Sequence, residues 1–164
     1  MNAAHVHLFL NHVPVIGFGL GVLSLVAGMI RQSEELKKAG LVLFFVCGLL
    51  TIPVYFSGQR AEDVVEHLPG VSEAVIEEHE EIALPSLIGA VLLGLISLAG
   101  LILWRGLPVF PRWFFTLTLL LSLIVSGYMS FTANLGGQIR HTEVRSGSAP
   151  SGEPEVGLEQ EHED

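Results

Sequence analysis

Cysteine and charged residues are both scarce in this chain of 164 residues. Its single cysteine, Cys47, excludes an internal disulfide framework and lies in an apolar run, where a free thiol behaves mainly as a small hydrophobe. The sequence has no C-x-x-C-H motif, which excludes covalent attachment of haem c, and no H-E-x-x-H zinc motif. Phosphate-binding loops and nucleophile–base sets are missing as well. The sequence therefore favours a non-enzymatic redox or metal-binding protein over an enzyme.

Apolar residues, by contrast, are abundant. They make up 50% of the chain, and the mean hydropathy is +0.57, more than a soluble domain of this length can bury. Four charge-free stretches lie at about 8–30, 40–57, 82–104 and 113–131, close to the ~20 residues that a helix needs to cross a bilayer. Backbone groups in hydrocarbon must be paired within their own segment, so we expect helices. The predicted fold is all-α, an integral membrane four-helix bundle over residues 1–145.

The basic residues predict the orientation of this bundle. Five of the eight lie in the loops that follow the first and third spans: Arg31, Lys37, Lys38, Arg105 and Arg112. Because basic loops normally stay in the cytoplasm, both termini are expected on the outer side. Fifteen of the seventeen acidic residues then fall on that side. Such a face attracts metal cations or a basic soluble partner and disfavours nucleic acid.

Two further segments are expected on the outer side. Residues 59–81 have the pattern of an amphipathic helix interrupted at Pro69-Gly70. Residues 146–164 are rich in Ser, Gly, Pro and Glu and contain six acids without a base, which predicts a disordered acidic tail.

Histidines are the candidate functional residues. Their depth along the predicted helices places His12, His79 and His141 in one layer near the outer membrane boundary. His79 shares a helical stripe with apolar residues, which indicates that it faces the bundle interior, where polar groups are costly and often functional. We predict a shared cofactor or metal site of these three residues, with His7 as a weaker fourth member.

Other polar residues near this layer have smaller roles. Glu78 and Glu143 are candidate additional ligands for a metal ion. We assign no function to three further histidines, which are interpreted as amphipathic residues whose polar end reaches water: His5, His67 and His162.

Imidazole binds haem iron, copper and zinc, which leaves several functions open. The first is a membrane electron-transfer subunit that binds haem b through these histidines. The second is a copper- or zinc-binding membrane protein that uses the same residues. The third is a structural subunit of a membrane complex without a cofactor. Oxidation of a quinol at the outer interface by a histidine and Glu78 is a fourth, which overlaps with the first.

Three short motifs resemble those of a known group. They are His7-x4-His12-x-Pro14 in the first span, His79-Glu80 before the third, and Gly136-Gly137 followed by His141 after the fourth. Over about residues 4–145 the pattern resembles a bacterial four-helix membrane family known as domain of unknown function 2231. The resemblance implies a small b-type cytochrome or metal-binding module of the bacterial inner membrane, with ligands at His7, His12, His79 and His141. It also implies a c-type cytochrome or other redox partner on the periplasmic side.

Overall fold

The computed structural model describes residues 2–105, 110–141 and 145, and this part of the chain forms five helices. They are α1 (Ala3–Leu10), α2 (His12–Arg31), α3 (Glu34–Val65), α4 (Glu73–Trp104) and α5 (Arg112–Arg140). α1 and α2 form one span with a break at Asn11, because Pro14 cannot donate to the Leu10 carbonyl and its ring crowds that oxygen. The four resulting spans, of 29, 32, 32 and 29 residues, are each long and apolar enough to cross a membrane. This confirms the predicted all-α bundle of four membrane-length helices.

The spans form a closed ring. α2 packs against α3, α3 against α4, α4 against α5 and α5 against α2, while α1 packs on α3. The first span therefore lies diagonally across the bundle from α4. Phe18, Phe44 and Leu93 are completely buried in the core between the helices. The outer surface is also apolar, with Phe9 75% and Ile30 76% exposed, which suits contact with lipid.

One end of the bundle, which we call the basic end, is marked by Lys37, Lys38 and Trp104. Lys37 is only 7% exposed, and its Nζ lies 2.9 Å from Glu34 Oε1 and 5.0 Å from the centre of the Phe115 ring. Lys38 Nζ lies 5.3 Å from the centre of the Trp104 ring. Aromatic rings and lysines in such contact are typical of a membrane–water boundary.

The opposite end, which we call the histidine end, consists of α1, the end of α3, the start of α4 and the end of α5. Residues 59–81, predicted as an amphipathic helix interrupted at Pro69-Gly70, belong to the two spans themselves. α3 continues to Val65 and α4 already begins at Glu73, and the turn between them contains Gly70 at φ 81°. The acidic side chains of these segments lie on the outside of helices that simply extend beyond their apolar runs. The predicted acidic tail, 146–164, lies outside the described residues.

Candidate cofactor site at the histidine end

His7 reaches from α1 to the main chain of α3. Its Nδ1 atom lies 3.0 Å from the carbonyl oxygen of Val54 and 3.3 Å from Ser57 Oγ, which itself donates to the Val54 carbonyl at 2.8 Å. A carbonyl oxygen can only accept a hydrogen bond, so Nδ1 carries the proton. In the neutral imidazole, Nε2 then offers a lone pair, the state in which histidine binds a metal.

His79 makes the same kind of contact from α4 to α5. Its Nδ1 atom lies 2.9 Å from the carbonyl oxygen of Thr132. The Thr132 hydroxyl donates to the Tyr128 carbonyl at 2.9 Å and lies 2.8 Å from Ser86 Oγ on α4. This network ties α4 to α5 beside the ring. Because Nδ1 donates to the Thr132 carbonyl, Nε2 of His79 carries a lone pair in the neutral imidazole, as Nε2 of His7 does.

Each imidazole ring rests against a glycine of the neighbouring helix. A Cβ atom added to Gly58 would lie 3.0 Å from His7 Cε1, and one added to Gly136 would lie 3.1 Å from His79 Cε1. Carbon atoms normally approach to about 3.5–4.0 Å, so a larger residue would push the ring away. Each glycine lies four residues, or about one helical turn, after the residue whose carbonyl holds the ring.

The two histidines occupy equivalent positions in two copies of a helical hairpin. The first helices of the copies share one pattern: His7-x9-Gly17-x10-Gly28 and His79-x9-Gly89-x10-Gly100, a separation of 72 residues. The second helices match at a separation of 78: Val54 and Gly58 correspond to Thr132 and Gly136. The extra six residues lie in the connection between α4 and α5.

Contacts between the helices follow the same correspondence. A Cβ atom added to Gly17 would meet Cys47 Sγ, and one added to Gly89 would meet Val125, the counterpart of Cys47. At the basic end, Gly28 and Gly100 each lie against the first turns of the following helix, Gly28 beside Lys37 and Leu36 and Gly100 beside the Phe114 ring. The two halves of the bundle, α1–α3 and α4–α5, therefore share their sequence spacing and the contacts of these glycines.

This correspondence places His7 and His79 at the same end of the bundle, on diagonally opposite spans. We call them the histidine pair. Because the halves are equivalent, a ligand between the two rings would meet the same type of group on both sides.

The structure places two other predicted ligands away from this pair. His12 is exposed, with its Nδ1 3.3 Å from a carbonyl of its own preceding turn, and His141 is exposed beyond the end of α5. Neither side chain is half-buried as His79 is. An α-helix turns about 100° per residue, so His12, five residues after His7, points about 140° away from it. Their role as ligands stays a prediction that this geometry does not favour.

The remaining candidates are also outside the histidine pair. His5 and His67 are exposed and contact only near neighbours, Asn2 and Glu66. Glu78 is exposed and lines a groove between α4 and α5. His162 and Glu143 lie outside the described residues.

Two polar features lie near the pair. The Oδ1 atom of Asn11, one turn after His7, is buried without a hydrogen-bond partner. The side chains of Glu62 on α3 and Glu80 on α4 lie close to each other.

The histidine pair offers two protein ligands. Among residues 2–105, 110–141 and 145, no group of three or more His, Cys, Asp or Glu side chains is arranged to hold a metal ion. Comparisons with family models, curated proteins and solved structures give no match to this chain. The resemblance to the four-helix bacterial family therefore stays a prediction.

Sequence reasoning missed the groups that hold the two rings. Val54 and Thr132 act through their main-chain carbonyls, which no side-chain pattern marks, and Gly58 is one of eighteen glycines. A usable signal was nevertheless present. The repeated spacing His-x9-Gly-x10-Gly pairs His7 with His79 and assigns no equivalent histidine to His12, whose counterpart is Leu84.

Proposed function

We propose that this chain is a multi-pass membrane electron-transfer subunit that binds haem b at the histidine end, where His7 and His79 would hold it. The observation that carries the proposal is the histidine pair itself. Two imidazoles from equivalent halves are each held through Nδ1 by a main-chain carbonyl, at 3.0 and 2.9 Å, and each keeps Nε2 for a ligand. Helical bundles commonly build cofactor sites from side chains on facing helices.

The number of protein ligands favours haem over a bare metal ion. The porphyrin supplies four ligands, so haem iron needs only one or two from the protein. Zinc takes three or four protein ligands, and copper sites of the common types take at least three. The described residues bring no third histidine, cysteine or carboxylate to the pair.

Haem b, when bound, would supply one-electron chemistry at its iron. The residues of the chain would orient it. The Val54 and Thr132 carbonyls fix the tautomer of each imidazole and increase its basicity as a ligand.

The charge distribution supports a location and a class of partner. The basic end fits the cytoplasmic side of a bacterial inner membrane, which would place the histidine end and both termini on the periplasmic side. Eight acidic residues lie between positions 62 and 81, at the histidine end. Such a surface would steer a basic redox partner, such as a c-type cytochrome, toward the site.

Absorbance spectra of the purified protein, oxidised and reduced, test the proposal directly. Cells are supplied with a haem precursor during expression, and haem is counted per protein chain. We expect a Soret band that is lost in His7→Ala and His79→Ala and retained in the matched control His12→Ala. A wild-type protein that is colourless under these conditions would overturn the proposal, and bound copper or zinc in that sample would point to the metal-binding alternative.

A further inference from the structure

Two pockets follow one another on the surface between α4 and α5. The first, at the histidine end, has a volume of about 490 Å³ and is lined by Glu78, Phe131, Asn134 and Gln138, among others. A second pocket, of about 390 Å³, follows deeper along the same two helices and is lined by Leu84, Ile88, Leu121, Ile124 and Tyr128. We call the two together the α4–α5 groove. Each volume lies in the range of about 300–1,000 Å³ that is usual for small-molecule sites.

The polarity of the groove changes along its length. The pocket at the histidine end has two amides and a carboxylate, whereas the deeper pocket is lined almost entirely by apolar side chains. This gradient matches an amphiphile whose polar head lies at the membrane boundary and whose apolar tail lies between the helices within the hydrocarbon.

The equivalent surface of the other half lacks three of these polar groups. By the correspondence of the two halves, Glu78 is replaced by Val6, Asn134 by Phe56, and Tyr128 by Leu50, whereas Gln138 is replaced by Arg60. Because the first half forms the same hairpin with apolar residues at three positions, the packing of the fold does not require Glu78, Asn134 or Tyr128, and these side chains are available to a ligand.

The charges of the rim indicate the kind of head group. Arg145 donates through Nε to the Gln138 carbonyl at 2.8 Å and through one Nη to the Ile139 and Gly70 carbonyls at 3.0 Å. Its guanidinium is thus engaged with the main chain. Glu78 adds a negative charge, which repels the phosphate of a lipid but accepts a hydrogen bond from a hydroxyl group.

The groove is also connected to the histidine pair. Ser86, which lines the deeper pocket, lies 2.8 Å from Thr132 Oγ1, and the Thr132 carbonyl holds His79 at 2.9 Å. We propose that the α4–α5 groove binds a quinol or quinone, with its ring near Phe131 and Tyr128 and its tail between α4 and α5. The Asn134 amide, whose Oδ1 accepts from Gln138, can donate to an oxygen atom of either form, whereas Glu78 can accept only from a hydroxyl group of the quinol. The redox role of the bound quinone rests on the proposed function, whereas its binding to the groove needs no haem.

Binding of a decyl-substituted benzoquinone to the full-length protein in phosphatidylcholine nanodiscs tests this site. Two variants install the residues of the first half, Tyr128→Leu and Asn134→Phe. Their matched control, Phe56→Leu, removes an aromatic ring from the equivalent surface of the first half. We expect the groove variants to bind the probe at least tenfold more weakly than wild type and the control to bind it equally well. Haem content and thermal unfolding are measured on every sample.

The outcomes separate this inference from the proposed function. A haem-containing protein that binds no probe, or that binds it equally well in folded Tyr128→Leu and Asn134→Phe variants, overturns the quinone site alone. A copurified phospholipid that the probe cannot displace also overturns it. A colourless protein that binds the probe through the groove overturns the haem assignment and supports the quinone site.

Discussion

The Nδ1 atom of His79 lies 2.9 Å from the main-chain carbonyl oxygen of Thr132, so a side chain of α4 is held by the backbone of α5. His7 has the corresponding contact with Val54. A main-chain acceptor is present whatever the side chain, and its position depends only on the path of the helix. The orientation of both imidazoles therefore depends on how closely neighbouring helices approach, which makes the glycines beside the rings decisive.

Replacing Gly136 by alanine should disturb His79. The added Cβ would lie 3.1 Å from Cε1 of the ring, so the imidazole must move away from its carbonyl partner. We expect a several-fold loss of bound haem and a free energy of unfolding lower by about 1–2 kcal/mol. Gly137→Ala is the matched control, because nothing lies within 4 Å of its added Cβ. It should retain haem and gain up to about 1 kcal/mol from helix propensity. Equal haem content and stability in the two variants would contradict the site geometry.

The equivalence of the two halves predicts that Gly58→Ala behaves like Gly136→Ala. In each case the new Cβ meets Cε1 of a histidine, at 3.0 Å for His7 and 3.1 Å for His79. In the haem-free protein, the two variants should lose stability by amounts that agree within about 0.5 kcal/mol, and additively when combined, since the contacts are then separate. Denaturant unfolding in detergent measures both quantities. A neutral Gly58→Ala beside a damaging Gly136→Ala would refute the equivalence.

The junction between the halves depends on a different glycine. A Cβ atom on Gly48 of α3 would lie 2.6 Å from the Ala90 carbonyl oxygen and 3.2 Å from Gly94 Cα, both in the main chain of α4. Backbone cannot move aside as a side chain can, and small residues let membrane helices approach in this way. Gly48→Ala should cost about 2–3 kcal/mol, whereas Gly127→Ala, with nothing within 4 Å, should not destabilise. Comparable melting temperatures for both would show that the two helices are not in such close contact.

Hydropathy was sufficient to predict the number of membrane-length spans but not the residues at which their helices end. The apolar run around Pro53 stops near Ser57, yet α3 continues for two more turns to Val65. Acidic side chains past the run point into water while the main chain keeps its helical hydrogen bonds, so a change of composition does not mark the end of a helix. Pro69 and Gly70 do mark the turn, for reasons of backbone conformation.

The site was harder to predict because it depends on helix phase. His7 and His12 lie in the same span at similar depth, and only their rotation about the axis separates a half-buried residue from an exposed one. The depth of a residue in the membrane can be counted from the ends of an apolar run. The direction in which its side chain points around the helix axis can be assigned only relative to another residue whose direction is known. The internal repeat provides one, since His79 and His7 share their spacing to the following glycines.

The buried lysine of the basic end should depend on its acidic partner. Lys37 Nζ lies 2.9 Å from Glu34 Oε1, and the Lys37 side chain is 9% exposed. Glu34→Gln removes the opposite charge, and we expect a loss of about 1–2 kcal/mol, limited because Glu34 itself is half exposed. Glu35→Gln is the matched control. Its contact with Lys38 is longer, 3.6 Å, and more exposed, so it should change stability by less than about 0.5 kcal/mol. A larger effect of Glu35→Gln would contradict this assignment.

The orientation of the chain can be read with single cysteines. Cys47 is buried, and Cys47→Ala provides a background without thiols. Glu35→Cys places an exposed thiol at the basic end, and Glu73→Cys places one at the histidine end. Because basic loops stay in the cytoplasm, a membrane-impermeant maleimide should label Glu73→Cys in spheroplasts and should reach Glu35→Cys only after permeabilisation. The reverse pattern would put the histidine pair on the cytoplasmic side and would exclude a periplasmic redox partner.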